Sequence, residues 1–218
     1  MRFRTAALVP TLVLLAACGK DSTTAPATGP SGSYRGTFVG TNSRGIMVVI
    51  FASPGATAIT GTLALTGGAT INLTGTYTPS SNGVSLTGTG YAVTGSYAPS
   101  STNFSGNYTG PAGDHGNWAV ESGTVKVFCG SYNGNAAGTW NLVLNDAGQL
   151  RGVAQTSSGA INLVGTYNSG TGAIIITSPD DGTIGATGTL NTATGGGNGN
   201  WSVSGTTAGT WTANTNGC

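Results

Sequence analysis

Two segments of this chain, Ala69–Tyr77 (ATINLTGTY) and Gly159–Tyr167 (GAINLVGTY), are nearly the same sequence written twice. In the first, Ile71, Leu73, Gly75 and Tyr77 share one parity, and Asn72, Thr74 and Thr76 share the other. Side chains of a strand point alternately to opposite faces, so this is the period of a half-buried strand and not of a helix. The alternation returns at Tyr91, Val93, Gly95 and Tyr97, at Phe104, Gly106 and Tyr108, at Trp118 and Val120, and at Trp201 and Val203. Ser-Pro-Gly at 53–55, Pro-Ser-Ser-Asn-Gly at 79–83, Asn-Asp-Ala-Gly at 145–148 and Pro-Asp-Asp-Gly at 179–182 punctuate the runs. Turn signals every 8–12 residues or so predict an all-β antiparallel meander. No stretch reads as an amphipathic helix.

The matched segment belongs to a longer duplication. Val93–Tyr97 matches Ala186–Leu190, Ser105–Thr109 matches Asn198–Ser202, and Gly116–Val120 matches Gly209–Ala213, all at an offset of 93. The Ala69–Tyr77 block has an offset of 90, which places a short indel between them. At the front, SYRG (Ser33–Gly36) resembles SYNG (Ser131–Gly134). The expected organisation is β repeat 1 over 33–121 and β repeat 2 over 131–218, each with about eight short strands.

The N-terminus has a different character. Arg2 and Arg4 precede an apolar run, Thr5 to Leu15, too short for a hydrocarbon core that needs about twenty residues. Ala16, Ala17, Cys18 and Gly19 follow. This Leu-Ala-Ala-Cys sequence resembles the lipobox of bacterial lipoproteins, and the resemblance covers residues 1–19 only. It implies a signal peptide over 1–17, removed on export, and lipidation of Cys18, which would anchor the chain to a membrane. The absence of Asp after the cysteine favours the outer membrane, in a cell that has one, as the location within the envelope. Residues 18–32, rich in Ser, Thr, Pro and Gly, read as a flexible linker reaching about 20 Å on average.

With Cys18 assigned to lipid, Cys129 and Cys218 form an even pair in an oxidising compartment, and a disulfide between them is expected. Its two ends bracket repeat 2. The first and last strands of a meander meet when the sheet closes, so the pair favours a barrel. Glycines within the apolar faces, at Gly75, Gly95, Gly106 and Gly165, supply the bends or close approaches that a small closed barrel requires. The expected fold is therefore two small β-barrels in tandem, with one large β-sandwich or a β-solenoid as alternatives. The pattern, though no motif, resembles the meanders of avidin-like and lipocalin-like barrels. A transmembrane barrel is disfavoured, because these runs are shorter than its strands of about 9–11 residues.

Composition excludes several functions. Only 6% of residues are charged, and removal of Arg2 and Arg4 leaves no basic excess. Nucleic acid is thus not an expected partner. His115, the one histidine, stands beside Asp114 and near Glu121, but in a Gly-rich turn without a nucleophile. Asp180-Asp181-Gly182 and Asn145-Asp146 are too poor in carboxylates for a calcium site and read as turns. Gly195–Gly199 lacks the lysine and helix of a phosphate loop. Asn72, Asn103 and Asn107 fit the glycosylation pattern, which carries no weight in the bacterial protein that the lipobox resemblance implies. No metal, cofactor or catalytic residue is expected. The candidate ligand-binding residues are Trp118, Trp140, Trp201 and Trp211, whose alternative role is core packing. The expectation is a non-enzymatic, envelope-anchored binding or structural module whose small-molecule or protein partner the sequence does not name. Its sharper form is a carrier with a small apolar or sugar ligand inside a barrel, which requires a cavity of roughly 300 Å³ or more.

Overall fold

The computed structural model describes residues 29–218. The signal segment, Cys18 and most of the linker lie outside the described residues. Sixteen strands form two closed antiparallel barrels of eight strands each. The first holds β1 (Gly32–Gly40), β2 (Arg44–Phe51), β3 (Ala58–Leu65), β4 (Thr70–Thr78), β5 (Gly83–Gly88), β6 (Tyr91–Ala98), β7 (Asn103–Thr109) and β8 (His115–Ser122). The second holds β9 (Val125–Gly134), β10 (Gly138–Asn145), β11 (Gln149–Thr156), β12 (Gly159–Tyr167), β13 (Ala173–Thr177), β14 (Ile184–Asn191), β15 (Gly196–Val203) and β16 (Thr206–Asn214). Within each barrel every strand pairs with its sequence neighbours, and the β1–β8 and β9–β16 pairings close the rings. Val125 opens the second barrel, so residues 125–130 belong to it although the repeat boundary at 131 leaves them out.

The register corrects the front of the duplication. Phe38 faces Trp118 across the first closing seam, and Tyr132 faces Trp211 across the second. Trp118 and Trp211 are equivalent at the offset of 93, so Phe38 matches Tyr132 at an offset of 94. SYRG and SYNG are thus not equivalent segments. Tyr34 matches Phe128 instead, and both are buried in their barrels. The small polar vocabulary of Ser, Tyr, Gly and Asn makes a false match easy at that point.

Alternation places the interior as the sequence implies. Leu73, Tyr77, Val93, Phe104, Tyr108, Trp118 and Val120 are all buried in the core of the first barrel. Its far end is packed with rings: Tyr34 meets Phe104 edge-on at 4.8 Å, and Phe51 stacks on Phe104 at 5.4 Å. Burial among them pushes the Tyr34 hydroxyl up to about 12. The glycines within strands mark close approach. Gly95 lies directly opposite Gly106, and the Trp118 indole covers the pair, with Cζ2 only 2.5 Å from where a Gly95 Cβ would be. Trp118 Nε1 donates to Thr94 O at 3.0 Å. The second barrel repeats the device: Gly188 faces Gly199 under Trp211, whose Nε1 donates to Thr187 O at 3.1 Å.

Some outward-facing residues are buried as well, and they define the contact between barrels. Thr37, Val39, Ala119 and Glu121 point away from the first interior, and Asn141, Val143 and Val153 away from the second, yet all are nearly inaccessible. The β1/β8 seam packs on β10 and β11. Asn141 Nδ2 donates to Thr37 Oγ1 at 2.7 Å, and the Thr37 hydroxyl donates onward to Gly45 O at 2.7 Å. Arg151 Nε lies 2.6 Å from Glu121 Oε1. Arg44 reaches across to Gly130 O at 3.1 Å. The expected disulfide is present, with Cys129 on β9 and Cys218 after β16 at a Cα separation of 5.2 Å. Among the described residues no helix is long and apolar enough to cross a membrane.

Candidate functional site

The second barrel is not filled. A cavity of about 370 Å³ opens at the end that carries the β9–β10, β11–β12, β13–β14 and β15–β16 connections. Trp140, Trp201, Trp211 and Tyr132 form aromatic walls, and Ala154, Ala186, Ile161, Leu163, Ile176 and Ile184 form the aliphatic remainder. Asn135, Thr156, Ser158, Thr177 and Asp181 supply the polar part of the lining.

Comparison with the equivalent positions of the first barrel shows where the space comes from. Pairing equates Leu63 with Ala154, Val93 with Ala186, Tyr91 with Ile184 and Leu65 with Thr156. At each of these positions the second barrel has the smaller or more polar side chain. Three substitutions run the other way, Phe38 to Tyr132, Met47 to Trp140 and Tyr108 to Trp201. They build the walls around the vacated centre.

The closure over this end also differs. In the first barrel, Asp114 is buried and its carboxylate accepts from Asn42 N at 2.8 Å, from Thr41 Oγ1 at 3.1 Å and from Ser43 Oγ. Tyr108 donates to Ser43 O at 3.0 Å, and burial holds its hydroxyl far above the usual phenol range. This clasp ties the β7–β8 connection to the β1–β2 connection across the barrel end. The equivalent segment of the second barrel has the same length and continues as a hairpin, with Val203 paired to Thr206. It carries Thr207 where the first has Asp114, and the end stays open.

The polar atoms of the aromatic walls are already engaged. Trp140 Nε1 donates to Ser131 O at 3.3 Å, Trp201 Nε1 to Asn133 O at 2.8 Å and Trp211 Nε1 to Thr187 O. Tyr132 donates to Gln155 O at 2.8 Å. Burial raises its hydroxyl pKa. The rings therefore turn carbon toward the cavity. At the mouth, Asp181 Oδ1 accepts from Thr183 Oγ1 at 2.7 Å and Thr183 N at 3.0 Å, and these bonds, the side-chain one foremost, lower its pKa. Asp180 is turned to Asn162, taking its backbone N–H at 2.5 Å and its side-chain amide at 3.0 Å.

Three of the four candidate tryptophans thus meet at one cavity. The fourth does not: Trp118 is fully buried on the glycine pair of the first barrel, and its role there is packing. The sequence reading missed Tyr132, Ala154, Ala186 and Ile184, whose signal is a size change at equivalent positions. Asp114, His115 and Glu121 do not converge. Asp114 serves the clasp, His115 is exposed with Nδ1 2.9 Å from Gly113 O, and Glu121 lies six residues further along β8, or about 20 Å. Among the described residues no cluster of His, Cys, Asp or Glu could hold a metal.

A second, wider groove of about 660 Å³ lies at the opposite end, lined by Tyr167, Thr171, Asn191, Thr194 and Asn198 among others. Its Asn191 oxygen is spent on the backbone N–H groups of Ala193 and Thr194.

No family model and no curated protein sequence matches the chain. Among solved structures it is similar to the Burkholderia oklahomensis agglutinin at 13% identity, over 84% of this chain and 95% of that one, with a TM-score of 0.24. It is also similar to the Myxococcus xanthus hemagglutinin, solved in complex with a3,a6-mannopentaose, at 12% identity over 86% and 91% of the two chains, again with a TM-score of 0.24. That score is too low to transfer a fold or a function. What fold and site define by themselves is a tandem-barrel β protein, with a closed, filled first barrel and a second barrel enclosing a cavity of ligand size.

Proposed function

We propose that the protein is a non-enzymatic, envelope-anchored lipoprotein whose second barrel binds a small, mainly apolar ligand. The observation that carries the binding role is the aromatic cavity of about 370 Å³, which falls in the size class of small-molecule sites. An apolar ligand is favoured over a sugar for a specific reason. Buried sugar hydroxyls need hydrogen-bond partners, and the three indole N–H groups and the Tyr132 hydroxyl are all taken by backbone carbonyls. Apolar surface moved against such walls gains about 25 cal/mol per Å² without stranding their N–H and O–H groups. The envelope address rests on the Leu15-Ala16-Ala17-Cys18 sequence and on the disulfide, which belongs to an oxidising compartment.

The test restores the first barrel's side chains in the second, as Ala154→Leu with Ala186→Val. Octanol, read by the fluorescence of the three cavity tryptophans, should bind the parent and not the filled variant, while a free hexose binds neither. The binding role fails if octanol leaves the parent spectrum unchanged or if the filled variant binds it equally. For the anchor, mass spectrometry of the protein from the membrane fraction should find a mature chain starting at Cys18 with acyl mass, and an unmodified Cys18 would end that part of the proposal.

A further inference from the structure

Asp181 is the one charged residue on the cavity lining. It stands at the mouth, on the β13–β14 connection, and its Oδ1 holds the local turn through Thr183. Among the described residues its Oδ2 takes no hydrogen bond from the protein. The described cations are all elsewhere: Arg151 pairs with Glu121, Arg44 holds Gly130 O, Lys126 holds Thr192 O, and Arg35 is on the first barrel. None lines the cavity. Asp180, next in sequence, adds a second negative group beside the mouth, with its oxygens turned to Asn162. A ligand lying in this cavity therefore meets carbon along its body and a carboxylate at its exit.

We infer that the ligand is an amphiphile with an apolar body and a hydrogen-bond-donating or cationic head, an amine in preference to an alcohol, and that carboxylate-headed lipids are selected against. This rests on the binding role proposed above and adds the head-group class. The preference arises at an exposed carboxylate, so its size is modest. An ammonium head gains about two- to five-fold over a neutral one, and a carboxylate head loses by a similar factor. Thr183 donating to Asp181 keeps the acid ionised across the neutral range.

Three eight-carbon probes, octylamine, octanol and octanoate, separate the head from the body. Titrated into the purified chain at low salt and neutral pH and read by tryptophan fluorescence, they should bind in the order amine, alcohol, carboxylate. In Asp181→Asn the side-chain oxygen can still accept from Thr183, so the turn persists. There the amine and carboxylate should move toward octanol, with only the share of Asp180 left, and octanol keeps the parent affinity. The amine preference in the parent should also shrink at about 1 M salt, where charges are screened beyond about 3 Å. Octanoate bound as tightly as octylamine overturns the head-group inference while octanol binding leaves the cavity role standing. Differences between the three probes that are undiminished in Asp181→Asn overturn it too. If none of the three binds, both readings fail together.

Discussion

A methyl group at Gly95 should destabilise the first barrel more than its size suggests. The added Cβ would lie 2.3 Å from Ser105 O and 2.5 Å from Trp118 Cζ2, where ordinary contacts are about 3.5–4.0 Å. Something must move by about 1 Å. The indole has nowhere to go, because Trp118 is fully buried and its Nε1 is held by Thr94 O at 3.0 Å and Asn107 O at 3.2 Å. Strand β7 cannot yield freely either, because Gly106 is already in register beneath the ring. Overpacking of this kind costs about 1–3 kcal/mol, and a weakened indole hydrogen bond about 1 more. For a unit of about 90 residues, 1 kcal/mol shifts Tm by about 4–8 °C, so Gly95→Ala should lower the melting point of the first barrel by roughly 10–30 °C. The shift is about half that if the two barrels melt together. Differential scanning calorimetry and urea unfolding measure it. Gly68→Ala is the control, because its Cβ would meet Leu65 Cβ at 3.5 Å and Leu65 O at 3.9 Å, both ordinary contacts, and it should stay within about 0.5 kcal/mol of the parent. In a Trp118→Leu background the same Gly95→Ala change should cost less than in the parent, since the ring's share of the clash is gone and only the approach to Ser105 O remains. A Gly95→Ala protein that melts within 2 °C or so of the parent, or an equal loss in both backgrounds, refutes the reasoning.

Removing the disulfide as Cys129→Ala with Cys218→Ala should cost up to about 4–5 kcal/mol in the chain-entropy model for a separation of 89 residues, and a urea midpoint unchanged from the oxidised parent would contradict that. Burial raises the Glu121 pKa although Arg151 and Asn145 oppose it, so ionising Glu121 costs the folded state more than the unfolded one. Its contribution is therefore greatest below the ordinary carboxylate range and falls as pH rises through the interval up to the folded value. The urea midpoint of the parent minus that of Glu121→Gln should accordingly narrow between about pH 4 and pH 7, and a widening would show that the Arg151 pairing outweighs burial. Asn162→Ala releases Asp180, and hydrogen exchange at the Ser178 and Ile184 amides, which close the mouth loop, should accelerate with little change in global stability; unchanged protection there would mean that Asn162 does not brace the loop.

Period-2 runs and turn residues were enough to read the strands, and the aligned aromatics revealed the two units. Gly95 and Gly106 signalled close approach, which the Trp118 platform explains. The site was harder to read for a physical reason. A cavity is a sum of side-chain volumes over neighbouring strands, and sequence order does not list those neighbours. Trp118 and Trp211 align in sequence and sit on matching glycine pairs. Only the register shows that Trp118 faces a filled interior, whereas Trp211 shares its interior with Ala154 and Ala186. The Asp114 clasp was hidden similarly, because its partners Thr41, Asn42 and Ser43 are more than 70 residues away.

The division of labour between the barrels has an energetic side. The far end of the first barrel is packed by Tyr34, Phe51, Tyr77, Tyr97 and Phe104, and its near end is shut by Tyr108 and the Asp114 clasp. The second has Leu144 where the first has Phe51, Leu190 where it has Tyr97, and Gly197 where it has Phe104, in addition to its open cavity. Each replacement of a ring by an aliphatic side chain or glycine lowers the apolar area that folding buries, and a buried aromatic contributes several kcal/mol. The cross-link falls on that second barrel, joining β9 to the segment after β16 at its closing seam. The barrel contact adds to it, since β1 and β8 of the filled unit pack on β10 and β11 of the open one, where Val39, Ala119, Val143 and Val153 are all buried. A filled barrel, a covalent tie and a shared face together offset the core that the second barrel lacks, and that lets its interior remain a site.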